Sequence, residues 1–182
     1  MRCWSRATLL SMLGIRKYES ADWPQVWRIL QAIIQTGDTF AFAPDTTEAE
    51  MRQLWVEMPT ATFVATDGDR RILGTYFIKP NQPGLGSHVS NCGYAVEEHA
   101  RGQGVASAMC EHSQAEAVKM GFRAMQFNIV VATNERAVRL WQRLGFDTVG
   151  RLPAAFKHLS LGYVDALVMF KPLVSTEVPS TR

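Results

Sequence analysis

Long apolar runs are missing from this 182-residue sequence. No stretch approaches the roughly 20 residues needed to cross a bilayer as a helix, which argues against a membrane partner. The apolar patch Leu9–Leu13 is short and broken by Ser11, so it makes a poor secretory signal. Cysteine is scarce and odd in number: Cys3, Cys92 and Cys110, with no C-x-x-C spacing. That pattern fits a reducing cytoplasm better than a disulfide framework. An excess of one charge is also lacking. The net charge of +2 offers no electrostatic footprint for nucleic acid or a membrane surface. The four histidines (His88, His99, His112, His158) show no H-E-x-x-H or paired Cys/His spacing, so no metal is expected. No internal repeat, low-complexity tract or interdomain linker is visible.

What is present alternates between strand and helix patterns. Ile15–Glu19 reads as a first strand. Ala21–Gln35 carries Val26, Ile29, Leu30, Ile33 and Ile34 at helical spacing, with Asp22 as its N-cap and Gly37 just past its end. Thr47-Glu48-Ala49-Glu50 has the form of a capping box opening a helix to about Glu57. Ala61–Thr66 and Arg71–Lys79 form a hairpin across Asp67-Gly68-Asp69. A strand over Asn91–Val96, a helix to Met120, a strand over Arg123–Val131 and a helix over Asn134–Leu144 follow. Strands near Phe146–Arg151 and Tyr163–Phe170 close the pattern. The order β-α-α-β-β-β-α-β-α-β-β predicts an α/β (α+β) fold with one mixed sheet flanked by helices. Residues 15–172 are expected to form a single domain. Residues 1–14 read as a leader or a start placed too early, and 173–182 as a polar tail.

The most informative stretch is Arg101-Gly102-Gln103-Gly104-Val105-Ala106, which joins a strand to a helix. A glycine-rich turn entering a helix gathers unpaired N–H groups at the positive end of the helix dipole, an arrangement suited to a phosphate or pyrophosphate. Gly102 and Gly104 have no Cβ to hold an anion away. No Walker-type lysine follows, which argues against a nucleoside triphosphate.

The pattern Arg101-x-x-Gly104-x-Ala106 resembles the Q/R-x-x-G-x-G/A signature of the GNAT superfamily of acetyl-CoA-dependent N-acetyltransferases. Downstream, Asn134-x-x-Ala137-x-x-Leu140-Trp141-x-x-Leu144-Gly145-Phe146 is similar to that family's second element. The resemblance covers roughly Ile15–Lys171. It implies a GNAT fold, a mostly antiparallel sheet with a V-shaped splay. From Leu73 to Pro153 the chain further resembles fungal azetidine-2-carboxylate N-acetyltransferases, which acetylate proline analogues; the stretch before Leu73 matches poorly.

The resemblance assigns the residues in turn. Acetyl-CoA would be the cosubstrate, its pyrophosphate held by Arg101, Gly102, Gln103, Gly104, Val105 and Ala106. The pantetheine would pair with Tyr94, Ala95 and Val96, with a backbone N–H of Tyr94 or Ala95 polarising the thioester carbonyl. Asn134 is either a simple N-cap or a pantetheine ligand, or both, with Ala137 beside it. Trp141 departs from the family pattern. Tyrosine there commonly protonates the leaving thiolate, and an indole cannot, so Trp141 is expected to pack on the adjacent strand.

No general base stands out among Glu97, Glu98, His99 and His88. Substrate placement is expected to carry the acceleration instead. Asn91 and Asn128 would hold an acceptor carboxylate, Tyr94 would form an aromatic wall, and Phe40, Phe42 and Trp55 would line the acceptor pocket or pack in the core.

The expected activity is direct acetyl transfer to the amine of a small carboxylate-bearing metabolite or toxic amino acid analogue. Other acceptors in the same reaction class stay open: a phosphinothricin-like compound, a polyamine, an aminoglycoside or a protein N-terminus. Trp141 also leaves open a non-catalytic acyl-CoA sensor. Many proteins of this fold form homodimers, and the sequence does not decide that here.

Overall fold

Among the described residues, seven strands form one sheet in the order β1-β2-β3-β4-β5-β7-β6. The computed structural model describes residues 12–175; the rest of the expected leader and tail lies outside the described residues. The strands are β1 (Gly14–Lys17), β2 (Ala61–Thr66), β3 (Ile72–Pro80), β4 (Val89–Val96), β5 (Ala124–Val131), β6 (Asp147–His158) and β7 (Gly162–Pro172). The main helices are α1 (Trp23–Ile34), α2 (Glu48–Arg52, continued by a π-turn over Gln53–Glu57), α3 (Val105–Lys119) and α4 (Glu135–Arg143). The element order read from the sequence is the one found. Every neighbouring pair is antiparallel except β4 and β5.

Two apolar layers sandwich the sheet. On one face, Val26, Ile29, Leu30, Ile33 and Ile34 of α1 pack with Met51 and Trp55 against Val64, Ile72, Phe77 and Ala95. On the other, Val105, Met109, Cys110 and Ala117 of α3 cover Tyr76, Ile78, Cys92, Met125 and Phe127. Alternation along β4 sends Cys92 and Tyr94 to the α3 side, and Asn91, Gly93 and Ala95 to the α1 side.

Some boundaries differ from the sequence expectation for physical reasons. Asp22 occupies the N-cap position of α1 as expected, but it also ends a 3-10 turn over Ser20–Asp22 and its side chain makes no cap bond to the helix. Its carboxylate is taken by the Arg16 guanidinium of β1, at 2.7 Å to each oxygen, and by the Glu19 N–H at 2.8 Å. The capping box at Thr47 and Glu50 forms as expected. β6 runs well past Arg151, through Pro153, because as an edge strand it has a side that owes no ladder hydrogen bond. Its register slips between Leu152 and Phe156, where Ala154 takes φ of 50°.

The feature that positions the site is the parting of β4 from β5. The two strands pair only at Val89–Ala124 and Ser90–Met125. Beyond that point the Asn91 side-chain amide donates to the Gln126 carbonyl at 2.8 Å. Further along, β5 bulges: Phe127 faces Met169 and Val130 faces Leu167, so Asn128 and Ile129 together oppose Val168. A bulge bends its strand and adds twist, which carries β5 away from β4 and opens the V.

Candidate active site

Hydrogen-bond phase along β4 decides which backbone groups enter the splay. Asn81 N–H donates to the Val89 carbonyl at 2.8 Å, and Glu97 N–H to the Leu73 carbonyl at 2.9 Å. In an antiparallel ladder, hydrogen-bonded and non-bonded pairs alternate. Val89, Asn91, Gly93, Ala95 and Glu97 therefore direct their backbone groups to β3, and Ser90, Cys92, Tyr94 and Val96 direct theirs toward β5. Past Ser90 no β5 backbone meets them, so Tyr94 and Val96 present N–H and C=O groups to the open splay. The Ala95 amide points back at Thr75 of β3. Of the two oxyanion donors expected from the sequence, the ladder geometry leaves Tyr94 and turns Ala95 away.

The glycine turn meets the same opening. Gly102 and Gly104 take φ of 82° and 96°, conformations in which a side chain is strained. A Cβ at Gly102 would lie 2.7 Å from Nη2 of Arg136. The Arg101 and Gln103 amides are used inside the turn, donating to the Glu98 and Ala100 carbonyls at 3.1 and 3.3 Å. α3 has no side-chain cap, and its first internal bond runs from Ala108 N–H to the Gly104 carbonyl. The amides of Val105, Ala106 and Ser107 are thus left without helical partners.

A cavity of about 560 Å³ collects these groups. Arg101, Gly102, Gly104, Ala106 and Ser107 of the glycine turn and α3 line it, with Asn134, Arg136, Ala137, Leu140, Trp141 and Arg143 at and in α4. Tyr94 and Val96 of β4 also line it, with Ile33, Asp38, Thr39 and His158 from elsewhere in the chain. Three arginines and an uncapped helix start suit a ligand carrying several phosphates. The residues present therefore fit coenzyme A: free amides for a pyrophosphate, cations around it, and strand backbone for an extended amide chain.

Asn134 caps α4 by accepting from Ala137 N–H at 3.1 Å, and its amide NH2 has no hydrogen-bond partner among the described residues. Trp141 does pack on the strand, and on two of them: its ring centre lies 5.1 Å from Tyr94 of β4 and 5.2 Å from Phe127 of β5. The Tyr94 hydroxyl is joined to Ser113 Oγ at 2.7 Å in the α3-side core. Burial holds that phenol well above its ordinary pKa, so it stays protonated and supplies no base.

The other expected residues fall outside the cavity wall. Asn91 faces the α1 side, with its amide on Gln126. Asn128 is exposed, donating to Asn81 Oδ1 at 2.7 Å and accepting from Gln126 Nε2 at 2.8 Å. Phe40 packs edge-on to Trp55, at 5.5 Å between ring centres, and Phe42 lies 5.6 Å from Phe40. Trp55 is fully buried and belongs to the core.

Glu97 is occupied by Arg71 and by the His99 N–H. Burial raises the Cys92 thiol far above its usual range, and His88 bonds the Leu85 carbonyl, so no thiolate nucleophile is assembled there. Among the described residues, no cluster of three metal-ligating side chains occurs and no helix is long and apolar enough to cross a membrane.

Asp38, Ser107, Arg136, Arg143 and His158 line the cavity in addition to the residues expected from the sequence. Arg136, Leu140 and Arg143 share one helical face with Asn134 and Ala137, which is a legible signal. Asp38 and His158 carry no such signal.

Residues 23–146 match the Acetyltransferase (GNAT) family. N-acetyltransferase aca1 of Schizosaccharomyces pombe is 35% identical over 111 residues, which is 60% of this chain and 53% of that protein. Protein SPT10 of Saccharomyces cerevisiae is 30% identical over 87 residues, 48% of this chain and 14% of that protein. The chain thus spans about half the length of the first and much less of the second. A GCN5-related N-acetyltransferase from Kribbella flavida has the same fold, with 42% identity, a TM-score of 0.85 and coverage of 90% of this chain and 99% of that one. A phosphinothricin acetyltransferase from Sinorhizobium meliloti, solved with acetyl-CoA, shares the fold at 20% identity, a TM-score of 0.78 and coverage of 93% and 97%. The chain belongs to the GNAT acetyltransferase family.

Proposed function

We propose that the protein transfers the acetyl group of acetyl-CoA directly to the amine of a small carboxylate-bearing metabolite or toxic amino acid analogue, of the azetidine-2-carboxylate kind. The observation that carries the transfer is the splay, where the free Tyr94 and Val96 backbone meets the uncapped start of α3 in one cavity.

In this reading the amides of Val105, Ala106 and Ser107, with Arg101 and Arg136, bind the pyrophosphate. The free amide of Asn134 and the backbone of Tyr94 and Val96 hold the pantetheine arm. The Tyr94 N–H polarises the thioester carbonyl and stabilises the oxyanion as the acceptor nitrogen bonds to the carbonyl carbon; one such donor contributes about 3 kcal/mol in other enzymes. The C–S bond then breaks, coenzyme A departs as thiolate and the amine proton passes to water. Trp141 donates no proton, and none is required, since a free thiol has a pKa of about 8.5.

Resemblance supports the acceptor class. Asn91 and Asn128 lie with Gln126 and Asn81 in a run of amides on the α1 side of the splay. Amides donate to a carboxylate without adding a positive charge that would repel the amine. Incubation with acetyl-CoA and a panel of amines, following thiol release, tests the reading. Turnover of azetidine-2-carboxylate that falls on Asn128→Ala supports it. Equal turnover of carboxylate-free amines sinks the acceptor class, and coenzyme A binding with no thiol release on any amine favours the sensor role that Trp141 suggests.

A further inference from the structure

Two loops from distant parts of the chain are fastened together over the cavity. Leu159 N–H, in the β6–β7 turn, donates to the Gly37 carbonyl at 3.3 Å in the α1–α2 connection. Gly37 takes φ of 59°, and a Cβ there would sit 2.3 Å from Cγ of Leu159, so the approach requires glycine. The contact places the next residue of one loop, Asp38, and the preceding residue of the other, His158, on the same cavity wall.

Asp38 is the one carboxylate among the residues lining this cavity, which otherwise carries Arg101, Arg136 and Arg143. Its Oδ1 accepts from the hydroxyls of Thr36 at 2.5 Å and Thr39 at 2.7 Å. Oδ2 makes no hydrogen bond among the described residues. Burial pushes the carboxyl up, but the two hydroxyls, with His158 and Arg101 nearby, outweigh it and hold the group below its ordinary pKa. The neighbouring His158 accepts at Nδ1 from the N–H groups of Ser160 (3.2 Å) and Leu161 (3.4 Å), which puts its neutral-form proton on Nε2.

An anion in this place is a poor partner for the phosphates of coenzyme A and a good one for a cation. The acceptor in an N-acetyl transfer arrives from water as an ammonium ion and loses its proton only in the site. We propose that Asp38, set on the cavity wall by the Gly37–Leu159 contact, is the residue that recognises the acceptor's ammonium group through Oδ2, selecting protonated primary or secondary amines. This rests on the acetyl-transfer reading for its ligand but not for its measurement.

Asp38→Asn separates a recognition role from a loop staple, because asparagine keeps the Oδ1 acceptor for Thr36 and Thr39 and removes only the charge. The KM for the amine should rise about tenfold or more, the loss of one charge-assisted hydrogen bond. Coenzyme A affinity and the melting temperature should stay unchanged. Calorimetry of amines against their amine-free carboxylic acids, with coenzyme A present, gives a readout independent of turnover. Ammonium binding that depends on Asp38 without thiol release upholds the assignment while the acetyl-transfer reading fails. Thiol release with an unchanged amine KM in Asp38→Asn overturns the assignment and leaves that reading standing. Failure of the wild-type protein to bind any ammonium compound also overturns it, as does an equal loss of coenzyme A affinity.

Discussion

Asn91 and Gln126 take over from the sheet ladder where the ladder stops. The last backbone pair of β4 and β5 is Ser90–Met125, and the next residue along each strand is joined through the Asn91 side chain to the Gln126 carbonyl at 2.8 Å. The bond sits at the vertex of the V and limits how far toward Val89 the strands can part. Asn91→Ala should lower stability by about 1 kcal/mol, the usual net value of one such bond. Urea unfolding measures this, and no change in midpoint would show that the vertex holds without the bond.

Gly102 is where the turn tolerates least. Its φ of 82° disfavours any side chain, and an added Cβ meets the Arg136 guanidinium. Gly102→Ala should cost roughly 1–2 kcal/mol in backbone strain and displace Arg136 from the cavity. Coenzyme A affinity, followed by quenching of Trp141, should fall about tenfold for the loss of one charged contact. Unaltered affinity would place the phosphates elsewhere.

Trp141 offers a test of thiolate departure. Its ring fills the space between Tyr94 and Phe127, and tyrosine at the same position would keep an aromatic packing surface while adding an acid. Because a thiolate leaves unaided near neutral pH, kcat of Trp141→Tyr should stay within about threefold of wild type. A rise beyond tenfold would mean that protonation of the thiolate limits the reaction.

The Arg16–Asp22 pair predicts an acid-dependent stability. The hydrogen-bonded Arg16 guanidinium holds the Asp22 carboxyl below its ordinary pKa, against the opposing effect of burial. A depressed folded pKa stabilises the fold above the unfolded value, about 4, and that contribution is lost as pH falls through the lower folded value. Asp22→Asn should therefore be less stable than wild type at pH 7, and the gap should narrow below about pH 4. A gap that is constant across this range would show that charge plays no part.

Much of this is legible in the sequence, for local reasons. The α1 stripe of Val26, Ile29, Leu30, Ile33 and Ile34 is buried along its whole length because its spacing matches the helical repeat. The capping box at Thr47 and the cap at Asn134 formed because their partners lie three residues away. Asp22 sits at the N-cap position of α1 as expected, yet its side chain makes no cap bond, because Arg16 of β1 and the Glu19 N–H take its carboxylate. The same limit separates Tyr94 from Ala95. Both occupy one strand, but only the phase of the β3–β4 ladder says which amide is free.

By itself the sequence determined the element order, the glycine turn and the family, since all three rest on residues close along the chain. The tertiary structure alone decided that the ladder ends at Ser90, that Asn91 is tied to Gln126, and that Asp38 and His158 meet over one cavity. Those relationships join residues whose separation carries no periodicity, and only packing brings them together.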